Sequence, residues 1–481
     1  MGPRPADSPV AFATTVLANL SPLAGVWFLG WDTNQLAFVY TVEVLFAVLF
    51  AGVKALFATQ PPNYDEIESD EQVLDDTGQK RPTGPSDLER KRGSVRVVEW
   101  LPPVYPRNVP FAVTWIEAAL LFAALFPGFL ARVVDPLGEI AGAATVSCAV
   151  SLVVSHVVAT RQQYFGRRQY ETVSPRGVAT VPMQEAGVVF AVVAIAGVEL
   201  NATGFLVVSV AVKTLVDCGQ YREGGLSGWF TTPSADRSLR TVAVPDAPPT
   251  DAVRTDWRAV AVGGVFRGAE RALGFAPLYL FVWIGILILS DGGPVYLGGV
   301  TLFAFVIAPL TVATLRAAEY TLNHGWLSYQ RRDGTLVAYD ELTDTPQWTA
   351  PVGEFRRAEL SDDRLADRLF DSQSLTVTPT GVGGESGADD ATDGELCLAH
   401  LRSADRAVSL FELPLATTAV EPFRSRYAAV VVALTVATVA VEVAFVFAPI
   451  GEERQLTAAL LLPFVVPMTV FGFQRLWARA Y

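Results

Sequence analysis

The feature that most constrains this chain is a series of apolar blocks, each separated from the next by a short polar turn or a long charged loop. The blocks are about 20 residues long, the length at which an α-helix crosses the hydrocarbon core of a bilayer. Soluble helices of this length usually carry a charged face, which these blocks lack. The pattern therefore predicts an integral membrane protein and disfavours a soluble protein with buried helices.

The blocks predict a membrane all-α fold of about ten transmembrane helices with a small inserted cytoplasmic β domain capped by a helix. The expected spans are 10–30, 36–58, 109–131, 138–159, 182–198, 203–219, 273–290, 296–315, 427–448 and 456–475. In membrane proteins, Lys and Arg are concentrated in the cytoplasmic loops. Turns 31–35, 199–202 and 291–295 contain neither residue, whereas the loop 160–181 holds four Arg. We expect a multi-pass protein of the cell membrane with both termini and the large loops in the cytoplasm.

These spans divide the chain into successive parts. Residues 1–221 are expected to form a six-helix transmembrane domain, whose loop 59–105 has the acidic, Pro-rich composition of a disordered linker. Residues 222–272 form a second linker. Its end, 251–272, places four arginines among apolar residues at helical spacing, which fits a helix lying at the membrane interface and a plain helix start equally well. The remaining parts are a transmembrane hairpin at 273–315, a cytoplasmic β domain at 316–420 and a second transmembrane hairpin at 421–481.

The charge composition is typical of a halophilic protein. The formal net charge is −13, and the only lysines are Lys54, Lys80, Lys91 and Lys213. Carboxylates keep a surface hydrated in brine, where a Debye length of about 3 Å at molar salt mutes their repulsion. The acidity gives no support to a role with nucleic acid. The cysteines and histidines are scattered along the chain, so we expect no metal site, no disulfide and no cofactor.

Residues 318–417 differ in character from the apolar blocks. Apolar and polar residues alternate around the turn RRDG at 331–334, which predicts a β-hairpin. Further strand-like pieces lie at 347–355, 374–380 and 395–401, and 403–413 has helical spacing. This order resembles the bacterial pleckstrin-homology-like (PH-like) domain of small membrane proteins, which follows pairs of transmembrane helices. The resemblance implies a barrel-like sheet capped by a C-terminal helix, and it implies no catalysis.

Four arginines of this domain have two alternative interpretations. Arg331, Arg332, Arg356 and Arg357 could contact anionic lipid headgroups, at about 1 kcal/mol per residue near a charged surface. Alternatively, they could lie at a solvated hairpin tip, and this second interpretation is favoured.

The N-terminal part resembles a second family. The segments ANLSPLAGVWFLGWD and FVYTVEVLF, followed by SHVVATRQQYFGRRQYETVSPR at 155–176 and VAVKTLVDCGQY at 210–221, resemble domain-of-unknown-function family 6498 over roughly residues 10–221. The function of that family is not known, so the resemblance implies a shared fold and supplies no chemistry.

Several polar residues interrupt the apolar blocks, where a charge costs at least about 2.5–3.5 kcal/mol. They are Asn19, Tyr40, Glu43, Glu117, His156, Lys213 and Asp217. Lys213 and Asp217 are four residues apart on one predicted helix, near its cytoplasmic end, and could pair or extend to the interface. Glu43, Asn19 and Glu117 could line a polar cavity for transport or proton movement, or they could hold helices together through hydrogen bonds of about 0.6–2 kcal/mol each. The second alternative is favoured because no inverted repeat or broken helix pair is visible.

The loop 161–176 supports a third, weaker hypothesis. Arg167 and Arg168, with Tyr164 beside them, could hold a phosphate or lipid headgroup, which would suit a membrane-embedded enzyme acting on such a group. Anchoring by positive charge on the cytoplasmic side explains most of the same residues. No recognised catalytic motif occurs, so we name no catalytic residue.

The favoured function is a membrane scaffold or regulatory protein, whose PH-like domain engages anionic lipid headgroups or a cytoplasmic protein. A small-molecule or ion transporter with Glu43 in a polar cavity is the principal alternative.

Overall fold

The computed structural model describes part of the chain. The described ranges are 9–62, 88–133, 160–179, 202–221, 241–275, 306–361, 365–380 and 396–415, with scattered positions elsewhere. The chain divides into two compact units. Unit 1 comprises residues 1–62, 96–238 and 285–303, and unit 2 comprises residues 63–95, 239–284 and 304–481.

Unit 1 is mainly helical over its described residues. The helices are α1 (Pro9–Leu29), α2 (Thr33–Ala55), α3 (Val109–Val133) and α4 (Ala202–Tyr221). The carboxylate of Asp32 starts α2 by accepting hydrogen bonds from the backbone N–H groups of Asn34 and Gln35 at 2.7 and 3.3 Å. The α2 helix packs against α3 and α4, and α1 packs against α4.

The C-terminal end of α2 is held by two loops of unit 1. The side-chain amide of Asn108 donates to the carbonyls of Ala55 and Ala58 at 2.9 and 2.7 Å, which satisfies helix-end acceptors that lack partners inside the helix. The backbone N–H of Thr59 donates to the carbonyl of Tyr170 at 2.9 Å. Short helical turns at Pro106–Asn108, Thr160–Phe165 and Gln169–Glu171 bring these loops together.

The predicted fold of about ten transmembrane helices is wrong. Over the described residues, one helix, α2, is long and apolar enough to cross a membrane, and the chain also forms two antiparallel sheets. The expected span at 203–219 shows why the sequence misled. Its helix α4 is apolar only over Thr203–Leu215, about 20 Å of helix against about 30 Å of hydrocarbon. Length and composition alone equally fit α2 to a core helix of a soluble protein.

Other expected spans have different outcomes. Helices α1 and α3 form at the positions expected for spans 10–30 and 109–131. The expected spans that lie wholly or in large part outside the described residues are 138–159, 182–198, 273–290, 296–315, 427–448 and 456–475.

Unit 2 combines helices with two sheets. Over the described residues, its helices are α5 (Trp257–Gly274), α6 (Ala308–His324), α7 (Leu365–Phe370) and α8 (Ala404–Phe411). Its strands are β1 (Asp251–Arg254), β2 (Leu327–Arg332), β3 (Thr335–Asp340), β4 (Thr345–Pro351), β5 (Phe355–Ser361), β6 (Gln373–Pro379) and β7 (Leu396–Leu401).

The strands form one four-stranded and one three-stranded antiparallel sheet. Their orders are β1-β2-β3-β4 and β5-β6-β7, so each sheet follows the order of the chain. The predicted hairpin at 331–334 is confirmed, because Arg332 pairs with Thr335 across a turn in which Asp333 and Gly334 have φ of +44° and +74°. Both sheets and α8 contribute to one apolar core that includes Tyr329, Leu375 and Phe411.

The expected interfacial helix over 251–272 needs correction at its start. Asp251–Arg254 is strand β1, paired antiparallel with β2, and its Val253 is buried in the shared core. The helix begins only at Trp257, because the carboxylate of Asp256 accepts a hydrogen bond from the backbone N–H of Arg258 at 2.9 Å and caps it. The helical spacing of the arginines therefore does not predict the strand at Asp251–Arg254 or the helix cap at Asp256.

Helices α5 and α6 pack closely through two glycines. A Cβ added at Gly264 would lie 2.9 Å from the carbonyl oxygen of Ala317, and one added at Gly268 would lie 2.1 Å from that of Ala313. Small residues four positions apart allow such a close approach of two helix backbones. The packing fixes α6 against α5 and leaves another side of α5 exposed.

Candidate functional site

Three of the predicted intramembrane polar residues meet in unit 1. The ammonium of Lys213 on α4 forms an ion pair with the carboxylate of Glu43 on α2, and it lies 5.8 Å from the ring centroid of Tyr40. The side chains of Lys213 and Glu43 are 29% and 20% exposed. The pair neutralises the charge of Glu43 and joins two helices. Lys213 therefore pairs across helices, and the side chain of its expected partner Asp217 lies outside the described residues.

The other predicted polar residues of unit 1 occupy separate helices. Asn19 is buried on α1, and Glu117 is half-buried on α3. The ring of His156 stacks on Phe50 with 5.8 Å between centroids. Close to the ion pair, Tyr40 packs with apolar residues of α4, so the lysine and the carboxylate lie beside an apolar cluster.

The loop predicted to bind a headgroup is partly used for packing. Tyr164 is buried, and its hydroxyl donates to the carbonyl of Lys54 at 2.8 Å. Arg167 is exposed. Arg168 has φ of +53°, and its guanidinium lies 3.7 Å from the carboxylate of Glu171, with both side chains largely exposed. Tyr164 thus secures the end of α2, while the two arginines lie at the surface.

The four arginines of the β domain also fall into two groups. Arg331 donates to the carbonyl of Leu410 at 2.7 Å and pairs with Glu412 at 2.9 Å, which ties β2 to α8. Arg332 donates to the side chain of Gln330 at 2.6 and 2.9 Å.

The other two arginines lie on β5. Arg356 is exposed, and Arg357 pairs with Glu359 at 2.5 Å. Arg331 and Arg332 therefore serve contacts inside the domain, whereas Arg356 and Arg357 face outward.

A buried row of hydrogen-bonded side chains in unit 2, Tyr320–His400–Asp367, was not predicted from the sequence. The hydroxyl of Tyr320 on α6 lies 2.8 Å from Nε2 of His400 on β7, and Nδ1 of His400 lies 2.5 Å from the carboxylate of Asp367 on α7. The hydroxyls of Ser372 and Ser374 donate to the same carboxylate at 2.6 and 2.7 Å. The order tyrosine, histidine, aspartate can align a proton along three side chains.

The surroundings of these three side chains indicate a structural role for them. His400 is fully buried and adopts φ of +51°, a conformation that non-glycine residues seldom take. Its carbonyl accepts from the backbone N–H of Asp256 at 2.6 Å. Burial acts to raise the pKa of Asp367, but the hydrogen bonds from His400 and the two serines, with the charge of His400, hold it below the usual range. The carboxylate therefore stays ionised and orders elements distant in sequence.

No local sequence motif could have revealed this group of side chains, because its members come from α6, α7 and β7. The weak signal was a histidine within an apolar strand, LCLAHL. Over the described residues, no group of three or more His, Cys, Asp or Glu side chains is arranged to hold a metal ion.

Comparison with known proteins gives one match. Residues 1–227 match the sequence model of a family of unknown function, DUF6498. This match supports the resemblance seen in the N-terminal sequence. No curated protein and no solved structure matches the chain. The PH-like resemblance of unit 2 therefore stays a prediction.

Proposed function

We propose that this chain is a membrane-anchored scaffold or regulatory protein whose unit 2 is a PH-like module for binding anionic lipid headgroups. The observation that carries the proposal is the arrangement of unit 2. A four-stranded and a three-stranded antiparallel sheet share one core with the helix α8, which follows the last strand. A barrel-like sheet with a capping C-terminal helix is what the PH-like resemblance implies.

Membrane attachment is supported by apolar side chains on α1 and α2. On α1, Trp27 and Phe28 are 66% and 82% exposed. Only 33% of the apolar window of α2 is buried, although the helix has 23 residues. Exposed apolar patches of this kind mark surfaces that contact another apolar phase. Lipid is the phase that best suits helices of this length.

The pair of Glu43 and Lys213 supports a packing role in unit 1. An ion pair between two helices neutralises a carboxylate that would otherwise be costly in an apolar environment. This arrangement favours a scaffold over a transporter, because a charge committed to a neighbouring helix is not available to a passing ion.

The lipid surface that we propose lies on α5. Val265, Phe266 and Leu273 share one face of this helix at helical spacing, and each is exposed. Arg258, Arg267 and Arg271 on the same helix are exposed as well. Apolar residues accompanied by arginines are typical of a helix that lies in the headgroup region, where each arginine contributes about 1 kcal/mol near an anionic surface.

Hydrogen exchange on the full chain tests this proposal. The chain is placed in nanodiscs of phosphatidylcholine alone, or of phosphatidylcholine with about a third phosphatidylglycerol, a charged surface that attracts arginine. We expect slower exchange over Trp257–Gly274 in the anionic discs, and we expect replacement of Arg258, Arg267 and Arg271 by Gln to remove the difference. The matched control replaces Arg356 and Arg357 by Gln, which should keep it.

Two results would contradict the proposal. Equal exchange in both kinds of disc would exclude α5 as the headgroup surface. A full chain that stays monodisperse in buffer without detergent or lipid would exclude the membrane anchor.

A further inference from the structure

A short segment from the loop between α2 and α3 is bound to the β domain of unit 2. This segment, Leu88–Gly93, has the sequence LERKRG and follows the acidic linker at 63–87. Its Leu88 is buried. The segment contributes no strand to either sheet, so its contacts are those of a peptide bound on a folded surface.

Lys91 occupies a pocket made of oxygen atoms. Its side chain is 3% exposed, and its ammonium pairs with the carboxylate of Asp340, which is fully buried. The same ammonium donates to the carbonyls of Leu322 and Asn323 at the end of α6, where the helix dipole favours a cation. Burial lowers the pKa of Lys91, and the charge of Asp340 opposes this shift.

The pocket requires a cation. One oxygen of Asp340, Oδ1, accepts from the backbone N–H groups of Leu342 and Thr343 at 2.8 and 2.9 Å. The other oxygen, Oδ2, faces Lys91. Without the lysine, this buried oxygen would lose its counter-charge, which is a strongly unfavourable state.

The next two residues are recognised through the backbone and, for Arg92, also through the guanidinium, which donates to the backbone carbonyl of Gln347. The N–H of Arg92 donates to the side chain of Gln347 at 2.8 Å, and its carbonyl accepts from Gln347 and Thr345 at 3.2 and 3.1 Å. Gly93 has φ of +89°, and an added Cβ would lie 2.7 Å from side-chain atoms of Thr343 and Thr345. Glycine is the residue that fits there both sterically and conformationally.

We infer that the end of α6 and the β3–β4 edge form a recognition site for a short basic peptide with the pattern Leu-x-x-Lys-Arg-Gly. The resident ligand is the chain's own Leu88–Gly93 segment. Leucine supplies the apolar anchor, and lysine supplies the buried cation. Arginine adds a guanidinium hydrogen bond to the carbonyl of Gln347, and glycine permits close approach. A buried ion pair gives specificity more than net stability, and the tether supplies the high local concentration that keeps the segment bound.

Peptide binding in trans tests this inference. In the full-length Gly93→Val chain, the valine side chain would collide with Thr343 and Thr345, so the segment should leave the site. A labelled peptide of residues 86–95 should then bind this variant at least about tenfold more tightly than it binds the wild-type chain, in which the tethered segment competes. A peptide with Met in place of Lys91 should bind at least about tenfold more weakly, because it leaves Asp340 without a counter-charge.

If the Gly93→Val chain does not fold, hydrogen exchange in a second variant, Asp340→Asn, tests the same inference. In the full-length Asp340→Asn chain, exchange over residues 88–93 should quicken at least about tenfold, while β6 and β7 keep their protection. Failure of the peptide to bind a folded Gly93→Val chain would overturn the inference. Equal binding of the Lys and Met peptides, or unchanged exchange over 88–93 in Asp340→Asn, would overturn it too.

Discussion

The two units pair a lysine with a carboxylate in different surroundings. In unit 1, Lys213 and Glu43 join two helices, and both side chains keep more than a tenth of their surface exposed, at 29% and 20%. In unit 2, Lys91 and Asp340 are almost entirely buried, and helix-end carbonyls and turn N–H groups complete their contacts. The partly exposed pair is not enclosed by protein on every side, whereas the buried pair needs a full set of polar partners from the protein itself.

Removal of Asp340 should give the largest effect. Asp340→Ala would leave the ammonium of Lys91 buried without a counter-charge, a change that costs about 3–5 kcal/mol. The opening free energy of β2 and β3, measured by hydrogen exchange on the full chain, should fall by up to that amount, because release of the Leu88–Gly93 segment relieves part of the cost. The control is Glu341→Ala, which removes an exposed carboxylate next along the chain and should change the same quantity little. A similar loss in both variants would refute the distinction between buried and exposed charges.

A smaller loss is expected at the other buried carboxylate of unit 2. Asp367→Asn keeps the shape of the side chain but removes the charge that accepts from His400, Ser372 and Ser374, at a cost of about 2–3 kcal/mol. The control is Asp405→Asn, on the exposed side of α8. Protection of β6 and β7 against exchange reports the difference.

The same carboxylate predicts an acid dependence. Because the pKa of Asp367 is lowered in the folded state, its stabilising contribution is complete above its unfolded pKa of about 3.9 and is lost as the pH falls through the folded value. The protection of β6 and β7 should therefore fall with pH below about 4 in the wild-type chain and fall less steeply in Asp367→Asn. Parallel pH profiles would exclude this assignment.

The pair in unit 1 should respond less. Lys213→Met removes the partner of Glu43 but keeps much of the packing volume, and interhelical polar contacts contribute about 0.6–2 kcal/mol. We expect the free energy of unfolding of the full chain, measured by thermal unfolding in detergent, to fall by about 1 kcal/mol. Leu215→Met, at an exposed position on the same helix, is the control. A loss as large as that of Asp340→Ala would remove the contrast between the units.

The smallest effect is expected at the surface of the β domain. Arg357→Gln breaks an ion pair with Glu359 whose partners are 66% and 53% exposed, and such pairs contribute about 0–1 kcal/mol. The midpoint of thermal unfolding should stay within error of the wild-type value. Arg331→Gln is the contrasting variant, because Arg331 ties β2 to α8 and should lower that midpoint measurably.

Local patterns in the sequence predicted local structure well. The alternation around RRDG predicted the β2–β3 hairpin because an Asp-Gly pair readily adopts positive φ at both turn positions. The helical spacing over 403–413 likewise matches α8. These features depend on neighbouring residues, so one sequence is enough to find them.

Contacts between distant residues could not be predicted in the same way. The number of apolar blocks does not predict the number of membrane-spanning helices, because length and composition do not say what surrounds a helix. Glu43 was recognised as a residue that needs a partner, yet the pairing with Lys213 depends on how α2 and α4 pack. Tyr320, His400 and Asp367 meet only after two helices and a strand assemble, and each residue alone is unremarkable in sequence.

The position of β1 has a practical consequence. Arg254 at the end of β1 lies opposite Ser328 in β2, so the intervening helices α5 and α6 leave and re-enter the first sheet at adjacent points. Such an excursion leaves the direction of both strands unchanged, so a change in its length need not disturb the pairing of β1 with β2. The excursion still contributes to the β domain, because Tyr320 contacts His400 and the carbonyls of Leu322 and Asn323 bind Lys91.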